Sequence, residues 1–381
     1  MSIETLVELS RFYGSDPEYV LAGGGNTSWK TEDTLYVKGS RFSLAEAAAG
    51  SFVKMDRKAL ASIWEKTYPQ SSEEREKEVL NDLMAAKKIG EEQKRPSVEA
   101  LLHDIIPFSF VVHLHPALVN GLCCSQKGEA AAREIFGDEI IWIPSTNPGY
   151  ILSRLVKTTM ADYYEKQRKH APVILLENHG VFVGADNADG IKKLYDEMMS
   201  KIGVRIKRKP DFSDEETATA GKLKSDGSLI EEITKTLAEL VNPSGAGFSV
   251  FMTDSETASF IKDRESFYPV SSAYTPDHIV YAGSDPLYIE SNTIAAIQSE
   301  WSNHAQKTGR NPKIIAIRNL GVFSAAASEK AACLALELFR DTIKVAVYTE
   351  GFGGPLFMTQ DKIDFINNWE VERFRSSVST K

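Results

Sequence analysis

Three of the seven histidines in this sequence fall where strands should end. His113 and His115 stand two residues apart, just after the apolar run from Phe108 to Val112. Side chains alternate along a strand, so both imidazoles project to one face. His179 follows a second apolar run, Val173 to Leu176, and Gly180 beside it lets the backbone turn. Three neutral imidazoles can hold one divalent cation and leave a fourth position open, the arrangement of a catalytic zinc site. The same residues also fit ordinary core histidines satisfied by hydrogen bonds, and spacing alone does not choose. Glu99 offers a carboxylate three residues after Pro96, a residue suited to the first turn of a helix. An acid there also complements a helix dipole. Beside a metal ion it would take or return a proton next to a polarised carbonyl.

Two loops look able to hold an anion. Gly24-Gly25-Asn26-Thr27-Ser28 offers backbone N–H groups and hydroxyls, and Lys38-Gly39-Ser40-Arg41 adds two cations. Neither is a dinucleotide fingerprint or a Walker loop, and Gly351-Phe352-Gly353-Gly354 is not one either. No nicotinamide-binding domain is visible in the sequence.

The elements that must position these groups are legible from periodicity. Helical spacing runs from Glu4 to Tyr13, and Thr34 to Val37 reads as a strand. Ser43 with Glu46 looks like a capping box opening a helix through Ala49. The charge-dense stretch from Glu73 to Gln93 reads as an exposed helix or a lid. A strand is expected from Glu139 to Ile143, and helices from Ile151 to Tyr164 and from Ala188 to Ile202. Lys207 to Gly227 loses apolar periodicity and reads as a linker. The expected organisation is therefore a catalytic domain at 1–206, a linker at 207–227 and a second α/β domain at 228–381. The second half echoes the first. Ile314 to Ile317 and Asn319-Leu320-Gly321-Val322-Phe323 match Val173 to Leu176 and Asn178-His179-Gly180-Val181-Phe182. Upstream, Asp277 to Tyr281 stands where Asp138 to Trp142 stands. On this reading the second domain is a degenerate repeat, with Leu320 in the place of a metal ligand.

Composition sets the outer limits. At 381 residues and 42% apolar content the chain is long enough for two ordinary cores. A net charge of −9 argues against general nucleic-acid binding. Cys123, Cys124 and Cys333 are too few, and too poorly spaced, for a disulfide framework, so a reducing, cytoplasmic location is expected. No apolar run is long enough to span a bilayer, and the first residues do not read as a signal peptide.

Taken together, Gly24-Gly25-Asn26-Thr27-Ser28, Lys38-Gly39-Ser40, Pro96-Ser97-x-Glu99, His113-x-His115-Pro116 and Asn178-His179-Gly180 resemble the class II aldolase/adducin head-domain family over residues 10–205. Within it the wording is most similar to the aldolase part of bifunctional rhamnulose-1-phosphate aldolase/dehydrogenase proteins, without their dehydrogenase domain. The resemblance implies an α/β fold of α+β layering, with a central, mostly antiparallel sheet between helices, and a homo-oligomer, a tetramer above all. It implies that His113, His115 and His179 bind zinc or another divalent ion and that Glu99 is the acid/base. It further implies that Gly25, Asn26, Thr27, Ser28, Lys38, Gly39, Ser40 and Ser97 contact phosphate and substrate oxygens. The implied reaction is cleavage of a ketose 1-phosphate, of rhamnulose or fuculose type, to dihydroxyacetone phosphate and an aldehyde through a metal-stabilised enediolate. An epimerase, dehydratase or decarboxylase on the same scaffold is the alternative, as is a non-catalytic module like the adducin heads, which lack the metal histidines. Val98 and Arg41 depart from the family's usual residues, and Tyr150 is a candidate proton donor to the leaving aldehyde. Neither a nucleic acid nor a membrane is an expected partner.

Overall fold

The computed structural model describes residues 2–214, 216–219, 227–242 and 247–371. Contacts along the chain divide it into two compact units. The first comprises Met1–Cys123, Lys127–Arg205 and Asn368–Val371; the second holds Cys124–Gln126 and Ile206–Asn367.

Among the described residues the first unit carries seven strands: β1 Asn26–Lys30, β2 Thr34–Lys38, β3 Phe52–Asp56, β4 Phe110–Leu114, β5 Ile140–Ile143, β6 Val173–Leu176 and β7 Gly180–Ala185. They form one sheet in the order β3-β2-β1-β4-β7-β6-β5. Every neighbouring pair is antiparallel except β5 with β6. The sheet is covered on both faces, which is why β6, and β4 as far as Val112, read as apolar runs rather than alternating ones. On one face Val111, Ile174 and Phe182 pack with Leu102 of the Ala100–Ile105 helix and with Leu152 and Val156 of the Tyr150–Gln167 helix. On the other, the Tyr195 hydroxyl of the Ala188–Gly203 helix donates to Val112 O at 3.2 Å, and Ser10 of the Ile3–Gly14 helix meets Thr27. Each fully buried aliphatic or aromatic side chain in these layers contributes about 1.5–3 kcal/mol.

The second unit carries β8 Glu216–Thr219, β9 Phe248–Thr253, β10 Leu287–Ile289, β11 Ile314–Ile317 and β12 Gly321–Ala326, in the order β10-β11-β12-β9-β8. This is the order β5-β6-β7-β4-β1 over again, with the one parallel pair in the same place. The register repeats too. Leu176 faces Gly180 as Ile317 faces Gly321, and Val112 faces Val183 as Val250 faces Ser324. Asn178 and Asn319 both adopt the left-handed conformation at φ 56°, and their amides donate to Cys123 O and Ile261 O respectively. The echo in the sequence is thus part of a structural repeat of five strands.

Four expectations are corrected. The stretch from Ser43 to Ala49 forms turns, with helical backbone only at Ala49–Ser51. Ser43 Oγ accepts from the Ala45 amide two residues on, a local bond that competes with helix, and Ala47 O is taken by Arg11 Nε at 2.7 Å. The helix expected near Pro96 begins at Ala100, because the Pro96 segment pairs with Gly39 instead. Asp277 to Tyr281 supplies no strand. His278–Ala282 is a π-helix, wholly buried, with His278 Nε2 bonded to Asp341 Oδ2 at 2.9 Å, and β10 follows later in the chain. Finally, the expected linker contains β8, whose backbone pairs with β9. Residues 215 and 220–226 of it lie outside the described residues.

Candidate metal centre

The donor cluster is assembled at one end of the first sheet. β4 carries the fully buried His113, and His115 follows the strand on the same face. Their Nε2 atoms are 2.9 Å apart. His179 arrives from the turn between β6 and β7, and one ligand atom from each of the three imidazoles lies within 4.8 Å of the others. Two backbone features bring His179 in. Asn178 supplies the left-handed residue of the turn. At Gly180 a Cβ would fall 2.5 Å from His115 Cδ2 and 2.6 Å from Leu114 O, so only glycine lets the chain pass so close.

The tautomer of His113 follows from its neighbour. Its Nδ1 lies 3.0 Å from Val181 O, an acceptor only, so Nδ1 carries the proton and Nε2 turns its lone pair to the cluster. The His113 ring stacks on Phe182 at 4.0 Å, which fixes its plane. Glu99 completes the group. Its Oε1 is 3.4 Å from His113 Nε2 and 3.7 Å from His179 Nε2, buried, and without a hydrogen-bond partner. A buried carboxylate oxygen left unpaired is costly. Three imidazoles whose lone pairs can converge, with an orphaned carboxylate oxygen beside them, fit a divalent cation.

The other carboxylate oxygen ends a directed chain of hydrogen bonds. Asn26 Nδ2 donates to Glu99 Oε2 at 2.6 Å, so Asn26 Oδ1 faces His103 Nε2 as an acceptor. Burial, with the nearby His113 and Lys30 adding to it, drives the His103 pKa well below the ordinary value, and the ring is neutral. With Nε2 donating to Asn26, Nδ1 must accept, and Ser28 Oγ donates to it at 2.7 Å. His103 sits in the Ala100–Ile105 helix, one turn after Glu99. Lys30 Nζ caps the end of that helix, bonding the carbonyls of His103 and Ile106. Burial pushes the Lys30 pKa down to about 7.

The family model described as the Class II Aldolase and Adducin N-terminal domain matches residues 4–200. The chain belongs to this family. A curated relative, the "Uncharacterized oxidoreductase YuxG" of Bacillus subtilis (strain 168), is 22% identical over 416 residues. That match covers 99% of this chain and 58% of the relative, so the chain spans a little over half of the relative's length. Among solved structures, the N-terminal class II aldolase domain of a conserved protein from Thermoplasma acidophilum is 26% identical with a TM-score of 0.46, covering 54% of this chain and 93% of that one. An L-fuculose-1-phosphate aldolase from Thermus thermophilus is 13% identical with a TM-score of 0.34, covering 53% and 90%.

The class II aldolase/adducin unit does not bring all the expected site residues together. Asn26 bonds Glu99 directly, and Ser28 is linked to it through His103 and Asn26. Thr27, the residue between them, points to the opposite face, its hydroxyl 2.7 Å from Ser10 Oγ. Gly25 lies against the His113 carbonyl. Lys38 Nζ donates to Phe42 O at 2.8 Å and Ser40 Oγ to Pro96 O at 3.0 Å. Gly39 bridges to Pro96, and Ser97 Oγ accepts from the Glu99 amide at 3.2 Å. These loops therefore form a collar that fixes the start of the Glu99 helix. Tyr150 is in the core against Trp64 and Tyr68. The missed residue is His103. Its signal was present: two polar residues on one strand face, Asn26 and Ser28, need a buried partner.

In the second unit the register names what replaced each donor. Phe251 takes the place of His113, Thr253 that of His115, and Leu320 that of His179. The stacked His113–Phe182 pair becomes Phe251–Phe323, with ring centroids 4.9 Å apart in the apolar core.

Proposed function

We propose that this chain is a metal-dependent aldolase that cleaves a ketose 1-phosphate to dihydroxyacetone phosphate and an aldehyde. The observation that carries the reading is Glu99 Oε1, buried and unpartnered, facing the Nε2 atoms of His113 and His179. His113, His115 and His179 would hold the ion, zinc or another divalent cation. When bound, such an ion supplies a Lewis acid for a substrate carbonyl and for the negative charge that develops beside it. Glu99 Oε1 is the group that takes or returns the proton at the carbon next to that carbonyl. Asn26 holds Oε2, so the carboxylate cannot rotate Oε1 away. Ser97 accepts the Glu99 amide and keeps its own O–H to donate to a substrate oxygen. The greater length of the Bacillus relative, and its naming as an oxidoreductase, accord with a likeness to the aldolase part of a bifunctional aldolase/dehydrogenase. A sugar phosphate substrate, a homo-oligomeric assembly and a cytoplasmic location belong to the same proposal.

The test is an aldol-cleavage assay on the purified, zinc-supplemented chain. Rhamnulose 1-phosphate, fuculose 1-phosphate and other ketose 1-phosphates are offered, and released dihydroxyacetone phosphate is read with a coupled dehydrogenase. Release that requires both metal and Glu99 supports the reading. No release from any ketose by protein shown to contain metal overturns it in favour of epimerase, dehydratase or decarboxylase chemistry.

A further inference from the structure

The second unit has Phe251, Thr253 and Leu320 where the first has its three histidines, and it has a cavity of its own. A cavity of about 410 Å³ opens at the start of β11, the end of that strand opposite Asn319 and Leu320. Lys313, immediately before the strand, lines it and donates from Nζ to Val280 O at 2.7 Å. Among the described residues no carboxylate pairs with this ammonium. Burial, reinforced by Arg310, pushes the Lys313 pKa down to about 8. Arg310 shares the cavity, and its guanidinium has no ion pair among the described residues. Asn367 lines it too, with a buried Nδ2 that has no hydrogen-bond partner. The acid at the rim, Asp285, accepts from Ser284 at 2.5 Å, and His304 stands nearby with its own pKa lowered by burial. Ile279, Val280 and Ile366 make the apolar part of the wall.

The first unit shows what the same place looks like without this cluster. Gly184 N donates to Pro172 O as Ala325 N donates to Lys313 O, so Lys313 occupies the position of Pro172. The cavity there is also about 410 Å³, but its acids Glu139 and Glu197 are paired with Lys201 at 3.1 Å and with Lys193 at 3.7 Å. A half-buried ammonium with no carboxylate paired to it among the described residues is thus a feature of the second unit's cavity. Such a charge is expensive unless something opposite in sign joins it.

We propose that the second unit binds the oxyanion group of a small organic molecule in this cavity, with Lys313, Arg310 and Asn367 as its donors. The volume suits a metabolite-sized ligand with the anion at the cationic end and its carbon skeleton on the isoleucine and valine side chains. This site stands independently of the reaction proposed for the first unit.

The experiment uses the full chain labelled with ¹³C at the lysine ε carbon, with Lys313→Met to assign the Lys313 resonance. Inorganic phosphate and acetate are titrated separately. Binding is expected to move that resonance and raise its titration midpoint by about one unit. Arg310 is exposed, so Arg310→Gln should fold, and it should weaken the response about tenfold without changing metal content. A response to phosphate alone identifies a phosphate ligand, and one to acetate alone a carboxylate. No movement with either anion up to about 10 mM, or an equal response in Arg310→Gln, overturns the proposal.

Discussion

Asn26 and Glu99 are joined by a 2.6 Å hydrogen bond across 73 residues of sequence. The bond settles the roles of four side chains at once. Because a carboxylate only accepts, the Asn26 amide must donate to it. Its carbonyl oxygen then receives the His103 proton, and Ser28 closes the chain. One oxygen of Glu99 is held and the other is left to the imidazoles.

Glu99→Gln tests the held carboxylate directly. Glutamine can still accept from Asn26 through its carbonyl oxygen, so the fold should be kept. Loss of the proton-transferring group should lower kcat by about 10²–10⁴-fold. Metal content measured by mass spectrometry should remain near that of the parent. Loss of the metal along with the activity would make Glu99 a ligand and not the base.

Metal removal should act on stability as well as activity. An ion that binds only the folded state raises the melting temperature, and stripping it with a chelator withdraws that stabilisation. The stripped protein should melt lower and show no cleavage, and zinc should restore both. His113→Ala should show the lower melting temperature with zinc present or absent. A melting temperature indifferent to chelation would argue that the three histidines hold no ion.

Much of this was legible in the sequence, for physical reasons. Strand alternation put His113 and His115 on one face, and the apolar run before His179 marked a strand delivering it to a turn. The same alternation excludes Thr27 from the face of Asn26 and Ser28, though a glycine-rich loop obscured where the strand began. The false helix at Ser43 had a sound capping pattern, which local bonding of the serine and the pull of Arg11 on Ala47 overrode. The expected match of Asp277–Tyr281 to Asp138–Trp142 fails because His278 to Ala282, buried throughout, winds as a π-helix. For His103 the sequence offered only the polar pair Asn26 and Ser28 as a signal, because its role depends on packing the helix after Glu99 against β1, a contact that periodicity does not report.

The polar chain should behave as a unit. Asn26→Ala removes the acceptor of His103 and the donor to Glu99, while Ser28→Ala leaves His103 Nδ1 without its donor. Each should destabilise by about 1–3 kcal/mol in urea unfolding. The double variant should fall short of the sum by about 0.5 kcal/mol or more, since both changes act on one imidazole. Strict additivity would show that the bonds are independent.

Gly180→Ala and Gly321→Ala compare the two copies of the turn. In the first, the new methyl meets the His115 ring and the Leu114 carbonyl; in the second, it meets the Phe251 ring at 2.3 Å at a backbone φ of 158°. Both should cost about 1–3 kcal/mol of stability. The first should also displace His115 and weaken metal binding at least about tenfold. Gly321→Ala should leave metal affinity alone. Equal effects on metal binding would contradict the assignment of the centre to the first unit.

Lys30 should give the protein a measurable dependence on alkaline pH. Its ordinary pKa of 10.5 is lowered to about 7 in the fold, mainly by burial. Below about pH 7 the amine is charged in both states, and the folded protein bears the full cost of burying that charge. Between about 7 and 10.5 the unfolded chain holds a proton that the folded one has released, so stability rises with pH across this window. Lys30→Met removes the titration, and also the bonds to the carbonyls of His103 and Ile106 that close the Glu99 helix. Urea unfolding at about pH 7 and about pH 10 should show the parent gaining more stability than the variant. Lys313 shares the sign of the effect but is common to both proteins, so the comparison isolates Lys30. Parallel stability curves would place the folded-state pKa of Lys30 near its ordinary value and its ammonium in contact with solvent.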